Sequence, residues 1–407
     1  MDVVPGSEAV AVGFWSLTGS RDEEPDRAGY SHFVEHMVFK GTARRSAFDI
    51  ARDIDRVGGA INAFTEKETV CVHATVPRAH LDLALDVVSD MVQAPALAPD
   101  EIEKEKVVVV NEIRGYLDSP EDCAFEAYSA GLWGGHPLAR KITGEFDDVR
   151  TIDRDALMEF FRSRWGPGGL VVAVAGDVDP DELAARLERD LGAAPGSVAA
   201  PPQRIPPQRR HERRLVPKRT NQQQIYLGTD FESAYGNPSL IYGSLVMSTA
   251  FGESMSSRLF QKLREERGLC YSIGTFRSLY SDVSLWSVYA SSAPEQAGAL
   301  LAAVDDEMAR LLSEPLTDTE VADAKSHLIG SLALSKADVE NRMKRLVRLQ
   351  VLFGAPQEYE ESVEHLSRIT TEQVLEVARH LLAGRSFNLT VYGSRRTAGW
   401  KRLRFSY

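Results

Sequence analysis

Two windows in the first half of the sequence each match a window in the second half, at nearly the same offset in residue number. Residues 150–177 align with residues 367–394 at an offset of 217, and residues 97–106 align with residues 316–325 at an offset of 219. The matched pairs are Ile152 with Ile369, Leu157 with Val374, Glu159 with Glu376, Arg162 with Arg379, Gly176 with Gly393, Leu97 with Leu316, Glu101 with Glu320, Ile102 with Val321 and Lys106 with Lys325. So constant an offset indicates an internal duplication, which restricts the fold to two similar units.

The segment between the two halves is basic and rich in proline. Residues 203–219 hold seven Lys or Arg and one acidic residue, which leaves −18 on the rest of a chain whose net charge is −12. Proline removes backbone donors and disfavours helix, so we interpret residues 200–219 as an extended linker between domains at residues 1–199 and 220–407. The strongly acidic remainder argues against a nucleic-acid-binding protein.

Each half alternates strand patterns with helix patterns. Apolar or alternating runs with β-branched residues predict strands at residues 10–15, 69–76, 222–228 and 271–275. Apolar residues at helical spacing predict helices at residues 81–92, 100–116, 297–312 and 318–334. The sequence therefore predicts an α+β fold of two structurally similar αβ domains, each a mainly antiparallel sheet packed with helices.

The strongest chemical signal lies in residues 31–41, which read SHFVEHMVFKG. His32 and His36 stand four residues apart on a segment with helical spacing, so both imidazoles project from one face and suit two ligands of a tetrahedral zinc. Glu35 borders the same face without competing for the metal. The order H-x-x-E-H is a catalytic zinc motif. Taken alone, the motif also allows two surface histidines on a helix.

A catalytic zinc takes three protein ligands, and a second helical segment offers the third. Residues 101–116 place Glu105 and Glu112 seven residues apart, hence on one face of a helix. Apolar neighbours draw Glu112 toward the interior, where a carboxylate is costly unless it is paired or bound to a metal. We therefore predict Glu112 as the third ligand. Glu105 either orients a ligand from behind or is a solvated carboxylate.

These motifs resemble those of the inverted-zincin metallopeptidases, the family of pitrilysin, insulin-degrading enzyme and mitochondrial processing peptidase. In that family a glutamate ligand follows H-x-x-E-H after about 75 residues, with another functional glutamate seven residues before it. Here 75 residues lie between His36 and Glu112, and Glu105 stands at the expected place. The resemblance implies a zinc endopeptidase with one Zn²⁺ per chain.

The resemblance extends to two segments that bind substrate. Residues 58–70 resemble the family's edge strand, which contacts the substrate backbone here through Asn62, Ala63 and Phe64. Residues 256–275 resemble the segment that carries a substrate-binding Arg and Tyr seven residues apart, here Arg264 and Tyr271. Without the family, the less favoured alternatives are that Arg264 is a helix-surface charge and that Tyr271 is a core aromatic.

The resemblance also implies a mechanism. Zinc held by His32, His36 and Glu112 lowers the pKa of a bound water to about 7. Glu35 is then the general base that takes the proton and returns it to the leaving amine. An unfolded peptide is expected to bind as an added strand along the edge. Arg264 and Tyr271 are expected to support the developing oxyanion, and Glu105 to assist catalysis near the metal.

A chain with two such domains is expected to build its closed chamber from two subunits. We therefore expect a homodimer, or a heterodimer with a paralogous chain, in which Arg264 and Tyr271 act in their own or in the partner's site. Two alternatives remain from the sequence. One is a non-catalytic core or assembly subunit, since some family members have lost the zinc motif, and the other is a protein that binds peptides without cutting them.

The composition favours a cytoplasmic protein. No stretch approaches the roughly 18 apolar residues of a membrane span, no basic segment followed by an apolar run suggests a signal peptide, and three cysteines without CxxC spacing suit a reducing compartment. Family members begin with a further strand before the segment that matches residues 9–15. Only eight residues precede Ala9, so we expect either a trimmed start or a first sheet without that edge strand.

Overall fold

The computed structural model describes residues 1–166, 169–192, 203–395, 405 and 407. Residues 193–202, which hold the predicted domain boundary and the first residues of the predicted linker, lie outside the described residues. The same is true of residues 167 and 168 in the first repeat window.

The described strands form two five-stranded sheets. They are β1 (Asp2–Val3), β2 (Ala9–Ser16), β3 (Ala60–Thr65), β4 (Val70–Pro77), β5 (Leu170–Gly176), β6 (Arg213–Pro217), β7 (Gln223–Glu232), β8 (Ser272–Leu279), β9 (Val283–Ser292) and β10 (Asn388–Gly393). The first sheet has the order β1-β5-β2-β4-β3 and the second the order β6-β10-β7-β9-β8. In each sheet the first strand pairs parallel and the other pairs are antiparallel. The identical order agrees with the duplication.

The helices of the described residues lie between and beside these strands. They are α1 (Tyr30–Met37), α2 (Ala47–Asp55), α3 (Leu81–Gln93), α4 (Pro99–Asp118), α5 (Pro120–Trp133), α6 (Phe146–Thr151), α7 (Arg154–Arg164), α8 (Pro180–Leu191), α9 (Pro238–Ser248), α10 (Ala297–Ser313), α11 (Asp318–Ser335), α12 (Val339–Phe353), α13 (Tyr359–Arg368) and α14 (Thr371–Leu382). Two π-helical turns, Thr249–Glu253 and Phe260–Glu266, follow α9.

The predicted α+β fold is confirmed, with each sheet mixed through its single parallel edge pair. All eight elements predicted by periodicity are present, with ends within four residues of the prediction. Several elements were not predicted, among them β9 and α12. In α12 the buried residues Val339, Met343 and Val347 stand four residues apart, so its sequence does carry a helical pattern, which the prediction overlooked.

The chain packs into two compact units, each of which includes a segment from the other half of the sequence. Unit 1 contains residues 1–115, 140–203 and 335–350, and unit 2 contains residues 116–139, 204–334 and 351–407. Most of α12 therefore belongs to unit 1. There the buried Met343 side chain lies against Gly13 of β2, and a Cβ atom added to Gly13 would be 3.0 Å from the Met343 sulfur. α5 belongs to unit 2, where Tyr128 stacks on Tyr226 at 5.4 Å and hydrogen-bonds Ser287 at 2.7 Å.

The first sheet has a short edge strand at this place, so the second of the two alternatives, a sheet without that strand, is wrong. β1 pairs with β5 over two residues, Asp2 with Ala175 and Val3 with Gly176, and Arg342 binds Asp2 at 2.6 Å. β6 holds the corresponding place in the second sheet and pairs with β10 over five residues. β6 lies within the predicted linker 200–219, so this part of the segment is a sheet strand.

Alternation along β4 gives the first sheet its two faces. Its residues 70, 72, 74 and 76 are Val, Val, Ala and Val and belong to the unit 1 core, whereas Cys71, His73 and Thr75 point to the opposite face. β3 pairs with β4 from Ala60 to Thr65, and within the described residues it has no other strand neighbour. One backbone edge of β3 is therefore not used by the sheet.

Within the described residues, no helix is both long enough and apolar enough to cross a bilayer.

Candidate metal centre

α1 presents the H-x-x-E-H residues because its apolar positions fix its orientation. Phe33, Val34 and Met37 are fully buried in the unit 1 core. With these side chains directed into the core, His32, Glu35 and His36 occupy the remaining part of the short helix. His36 and Glu35 are half-buried and His32 is 7% exposed.

The three predicted ligands meet in unit 1. Nε2 of His32 lies 3.5 Å from Oε1 of Glu112, and Nε2 of His36 lies 3.5 Å from Oε2 of the same carboxylate. One ligand atom from each of the three residues lies within 4.8 Å of the others. Donors on one tetrahedral zinc with bonds of 2.0–2.2 Å stand roughly 3.3–3.5 Å apart. The nitrogen, nitrogen, oxygen set and its spacing therefore fit zinc.

Nε2 is the nitrogen of His32 that faces the cluster, 3.5 Å from Glu112. A metal held by the three residues would therefore be bound through Nε2. The Nδ1 atom is buried and has no hydrogen-bond partner among the described residues.

Glu105 lies behind His36. Glu105 and Glu112 are two turns apart on α4 and approach the same histidine from different sides. Oε1 of Glu105 lies 2.8 Å from Nδ1 of His36, and Lys40 binds Oε2 at 2.6 Å. Glu105 is 3% exposed. A carboxylate on the second nitrogen of a histidine fixes the ring and raises its basicity, so Glu105 is not the solvated carboxylate that its exposed neighbours suggested.

The charges of this cluster shift its pKa values in opposite directions. Burial lowers the pKa of His36, but hydrogen bonds with Glu105 and Glu112 outweigh it and raise the pKa to about 9. Hydrogen bonds with His32 and His36 hold the pKa of the Glu112 carboxyl well below its usual range. Burial opposes the same change at Glu105, where hydrogen bonds with His36 and Lys40 lower the pKa. Glu105 and Glu112 are thus both ionised, and together they stabilise positive charge on the His36 ring.

Glu35 connects α1 with β3. The Thr65 hydroxyl donates a hydrogen bond of 2.5 Å to Oε2 of Glu35. Thr65 is the last residue of β3, so this bond sets the carboxylate against the end of the predicted substrate-binding strand. Glu35 therefore stands beside the ligand cluster without being part of it, as expected for a base.

The predicted substrate residues lie on the edge strand. Asn62 is exposed, and its Oδ1 accepts a hydrogen bond of 2.9 Å from the backbone N–H of Ala63. This N–H is consequently directed away from the ladder. The Phe64 ring is half-buried, 6.1 Å from the His73 ring, and Lys344 lies over it at 5.3 Å. Backbone groups on the outer side of β3 are positioned for an added strand.

Arg264 and Tyr271 belong to unit 2. The Arg264 guanidinium lies 4.4 Å from the centre of the Phe260 ring and 4.0 Å from Glu265. Tyr271 is 60% exposed, and its backbone N–H bonds the carbonyl of Ser291. An exposed ring contradicts the alternative that Tyr271 is a core aromatic. The predicted roles of the two residues stay predictions.

Sequence reasoning missed Lys40 and Thr65. Lys40 stands four residues after His36, beyond the end of α1, so helical spacing gives no assurance that it shares a face with the ligands. Thr65 lies 30 residues from Glu35. Neither residue type suggests a metal site by itself, and both acquire their place from the packing of α1 against α4 and β3.

Residues 4–145 match the Insulinase (Peptidase family M16) model, and residues 151–328 match the Peptidase M16 inactive domain. An uncharacterized zinc protease of Mycobacterium tuberculosis is 35% identical over 400 residues, which are 97% of this chain and 91% of that protein. The chain belongs to the M16 peptidase family. Another M16-like relative, the uncharacterized zinc protease YmxG of Bacillus subtilis, is 34% identical over 93% of this chain and 91% of its own length.

Solved structures share the M16 fold. A protease from Helicobacter pylori has a TM-score of 0.89 at 18% identity, over 96% of this chain and 95% of that one. A chain of Complex III2 from Candida albicans has a TM-score of 0.83 at 18% identity, over 98% of this chain and 95% of that one. These identities show the fold alone. The fold thus occurs both in a protease and in a chain of Complex III2.

Proposed function

We propose that this M16 protein is a zinc-dependent endopeptidase that hydrolyses unfolded peptides. The observation that carries the proposal is the convergence of His32, His36 and Glu112, whose ligand atoms lie within 4.8 Å of one another. The relatives in Mycobacterium tuberculosis and Bacillus subtilis are named zinc proteases, which supports the same metal. One Zn²⁺ per chain is expected at this cluster.

The residues around the cluster are proposed to have separate catalytic and positioning roles. Bound zinc supplies a Lewis acid and a water of lowered pKa. Glu35 takes a proton from the attacking water and delivers it to the leaving amine. Its hydrogen bond from Thr65 holds the carboxylate at the end of β3, and Glu105 fixes the His36 ring from Nδ1.

The substrate is proposed to bind as a strand added to β3. Main-chain hydrogen bonds would then hold it along residues Asn62, Ala63 and Phe64, a mode that accepts many sequences. An incoming peptide must take over the Ala63 N–H from the Asn62 side chain, which binds it in the free protein. Arg264 and Tyr271 are proposed to hold the substrate carbonyl and support the oxyanion. The exposed Tyr271 ring is free of the core and suits such a contact.

A homodimer is the proposed assembly, because two M16 units per chain are expected to form half of a closed chamber. Light scattering behind a sizing column measures it. A mass near the 45.0 kDa of one chain would refute it.

The fold likeness to a chain of Complex III2 favours a second candidate, a non-catalytic core or assembly subunit. The complete set of His32, Glu35, His36 and Glu112 argues against this candidate. A subunit without catalysis has no need for two ionised carboxylates on one histidine. Turnover decides between the two.

The test is zinc content and cleavage of a quenched peptide library by the wild type, Glu35→Gln and Glu112→Gln. We expect Glu35→Gln to keep zinc and lose activity by about 10²–10⁴-fold, as removal of a general base does. We expect Glu112→Gln to lose both zinc and activity. Glu103→Gln is the control, because Glu103 lies on the same helix with its side chain 71% exposed. Full activity in Glu35→Gln would contradict the mechanism, and full zinc occupancy without His36 would contradict the ligand set.

A further inference from the structure

The helix that carries the metal motif does not cap its own beginning. α1 has 8 residues, and its N-cap is Gly29, which has no side chain to accept a hydrogen bond. A helix this short is not stable by itself, and the N–H groups of its first turn need acceptors from elsewhere. Whatever supplies these acceptors also decides where the helix points.

Glu23 supplies them from a preceding segment. Its Oε2 accepts the N–H of Gly29 at 2.9 Å, and its Oε1 accepts the N–H of Ser31 at 2.7 Å. The residue is 4% exposed. Ser31 directly precedes His32, so the carboxylate fixes the backbone one residue before the first ligand.

Glu23 is itself held firmly. Arg140 donates to its backbone carbonyl at 2.8 Å and to that of Arg21 at 3.1 Å. Lys67 donates in turn to the carbonyl of Arg140. The backbone that carries the cap is therefore held by a half-buried polar network of Arg140 and Lys67.

The other side of the helix start is closed by backbone. Gly29 has a φ of 85°, and a Cβ at this position would lie 2.7 Å from the carbonyl oxygen of Thr143. Glycine is required both by the left-handed conformation and by the contact. The start of α1 thus lies between the Glu23 carboxylate and the 143–144 backbone, with little room to shift.

We propose that Glu23 is a positioning residue of the metal centre, which sets the direction of α1 and thereby of His32 and Glu35. The proposal rests on the proposed zinc peptidase function. Glu23 touches none of the ligands, and its effect passes through the Gly29 and Ser31 amides. Burial raises the pKa of Glu23 to about 7 against the lowering effect of these two N–H groups, so the carboxylate is retained at a cost that the cap explains.

The test uses the full chain with Glu23→Gln and Glu23→Asp. Glutamine keeps the shape but turns an N–H donor toward one of the two amides, and aspartate keeps the charge but reaches less far. Glu24→Gln is the matched control, because the neighbouring Glu24 side chain is 51% exposed and pairs with Arg164 at 3.2 Å instead of with the start of α1. Three measurements are made: hydrogen exchange of residues 29–36 without zinc, the visible absorption spectrum with Co²⁺ in place of zinc, and zinc affinity by competition.

We expect faster exchange of residues 29–36, an altered Co²⁺ spectrum and a roughly 10-fold weaker zinc affinity in both Glu23 variants, with Glu24→Gln like the wild type. In the peptidase assay kcat should fall about 10-fold with little change in KM, because the machinery is misplaced and the substrate edge is intact. A merely structural role would lower the unfolding midpoint and leave the Co²⁺ spectrum unchanged, which would overturn the proposal.

One result needs no variant. If the Gly29 and Ser31 amides of the wild type exchange as fast as those of an uncapped helix end, Glu23 does not hold α1. Wild-type protein that binds metal but cleaves no peptide would refute the proposed function, while the exchange and Co²⁺ measurements would still decide the role of Glu23.

Discussion

Replacing Glu105 by glutamine removes the charge behind His36 while keeping the size of the side chain. The carboxylate binds two cationic or basic partners at once, His36 Nδ1 at 2.8 Å and Lys40 Nζ at 2.6 Å. A glutamine has one oxygen for the two partners, so its amide NH₂ must face one of them. The loss therefore falls on both the orientation and the basicity of the His36 ring.

The expected magnitude follows from this geometry. Outer partners of ligating histidines typically contribute 10–100-fold in metal affinity, which is about 1.4–2.7 kcal/mol. Charge-assisted hydrogen bonds to buried groups contribute about 1.5–3 kcal/mol each, and glutamine keeps one neutral bond. Because Glu105 is 3% exposed, solvent does not replace the lost bond. We expect the zinc dissociation constant of Glu105→Gln to rise about 30-fold, in the middle of this range.

The assay is competition for zinc against a chromophoric chelator at one pH. Glu103→Gln is the control, since Glu103 is two residues away on α4 and pairs only with Lys106 at 2.7 Å. Urea unfolding of the zinc-free variants separates loss of affinity from loss of folded protein. A dissociation constant for Glu105→Gln within threefold of the wild type, or an equal change in Glu103→Gln, would refute the reasoning.

Two further predictions concern stability. Leu97 is 1% exposed yet has a left-handed φ of 42°, so Leu97→Ala should cost about 2–5 kcal/mol while Leu97→Gly, which relieves the backbone, should cost about 1 kcal/mol less. Urea unfolding measures both, and a larger loss for glycine would contradict the strain. Burial, opposed by Glu340 and aided by Lys344, lowers the pKa of His73. Its neutral form is therefore favoured in the fold, and stability is lost as the pH falls below about 6.5. From pH 7 to 5.5, His73→Gln should lose less stability than the wild type, and equal losses would contradict this.

Much of the fold follows from local pattern. The duplication predicts two units, and the two sheets have the same strand order. Periodicity placed the strands and helices whose buried faces are clearly apolar, such as β2 and α3. It was not applied to α12, although the buried residues Val339, Met343 and Val347 stand at helical spacing there. α5 packs in unit 2 and most of α12 in unit 1, each away from the half of the sequence that contains it. No sequence pattern predicts this, because it depends on which apolar surface each helix packs against.

The site divides in the same way. H-x-x-E-H is a local motif, and four-residue spacing is sufficient to place both histidines on one face. The sequence also selected Glu112, through its apolar neighbours and the family spacing. It left Glu105 open between a solvated and a functional carboxylate, and only the 2.8 Å contact with His36 decides.

The sequence by itself determined the duplication, the alternation of strands and helices and the identity of the candidate ligands, because each follows from residue types and their spacing along the chain. Tertiary structure alone decided the partners of those residues. Lys40 on Glu105, Thr65 on Glu35 and Glu23 at the start of α1 are contacts between separate segments. Such contacts form only when the packing of the core brings the segments together, so the residue types alone do not predict them.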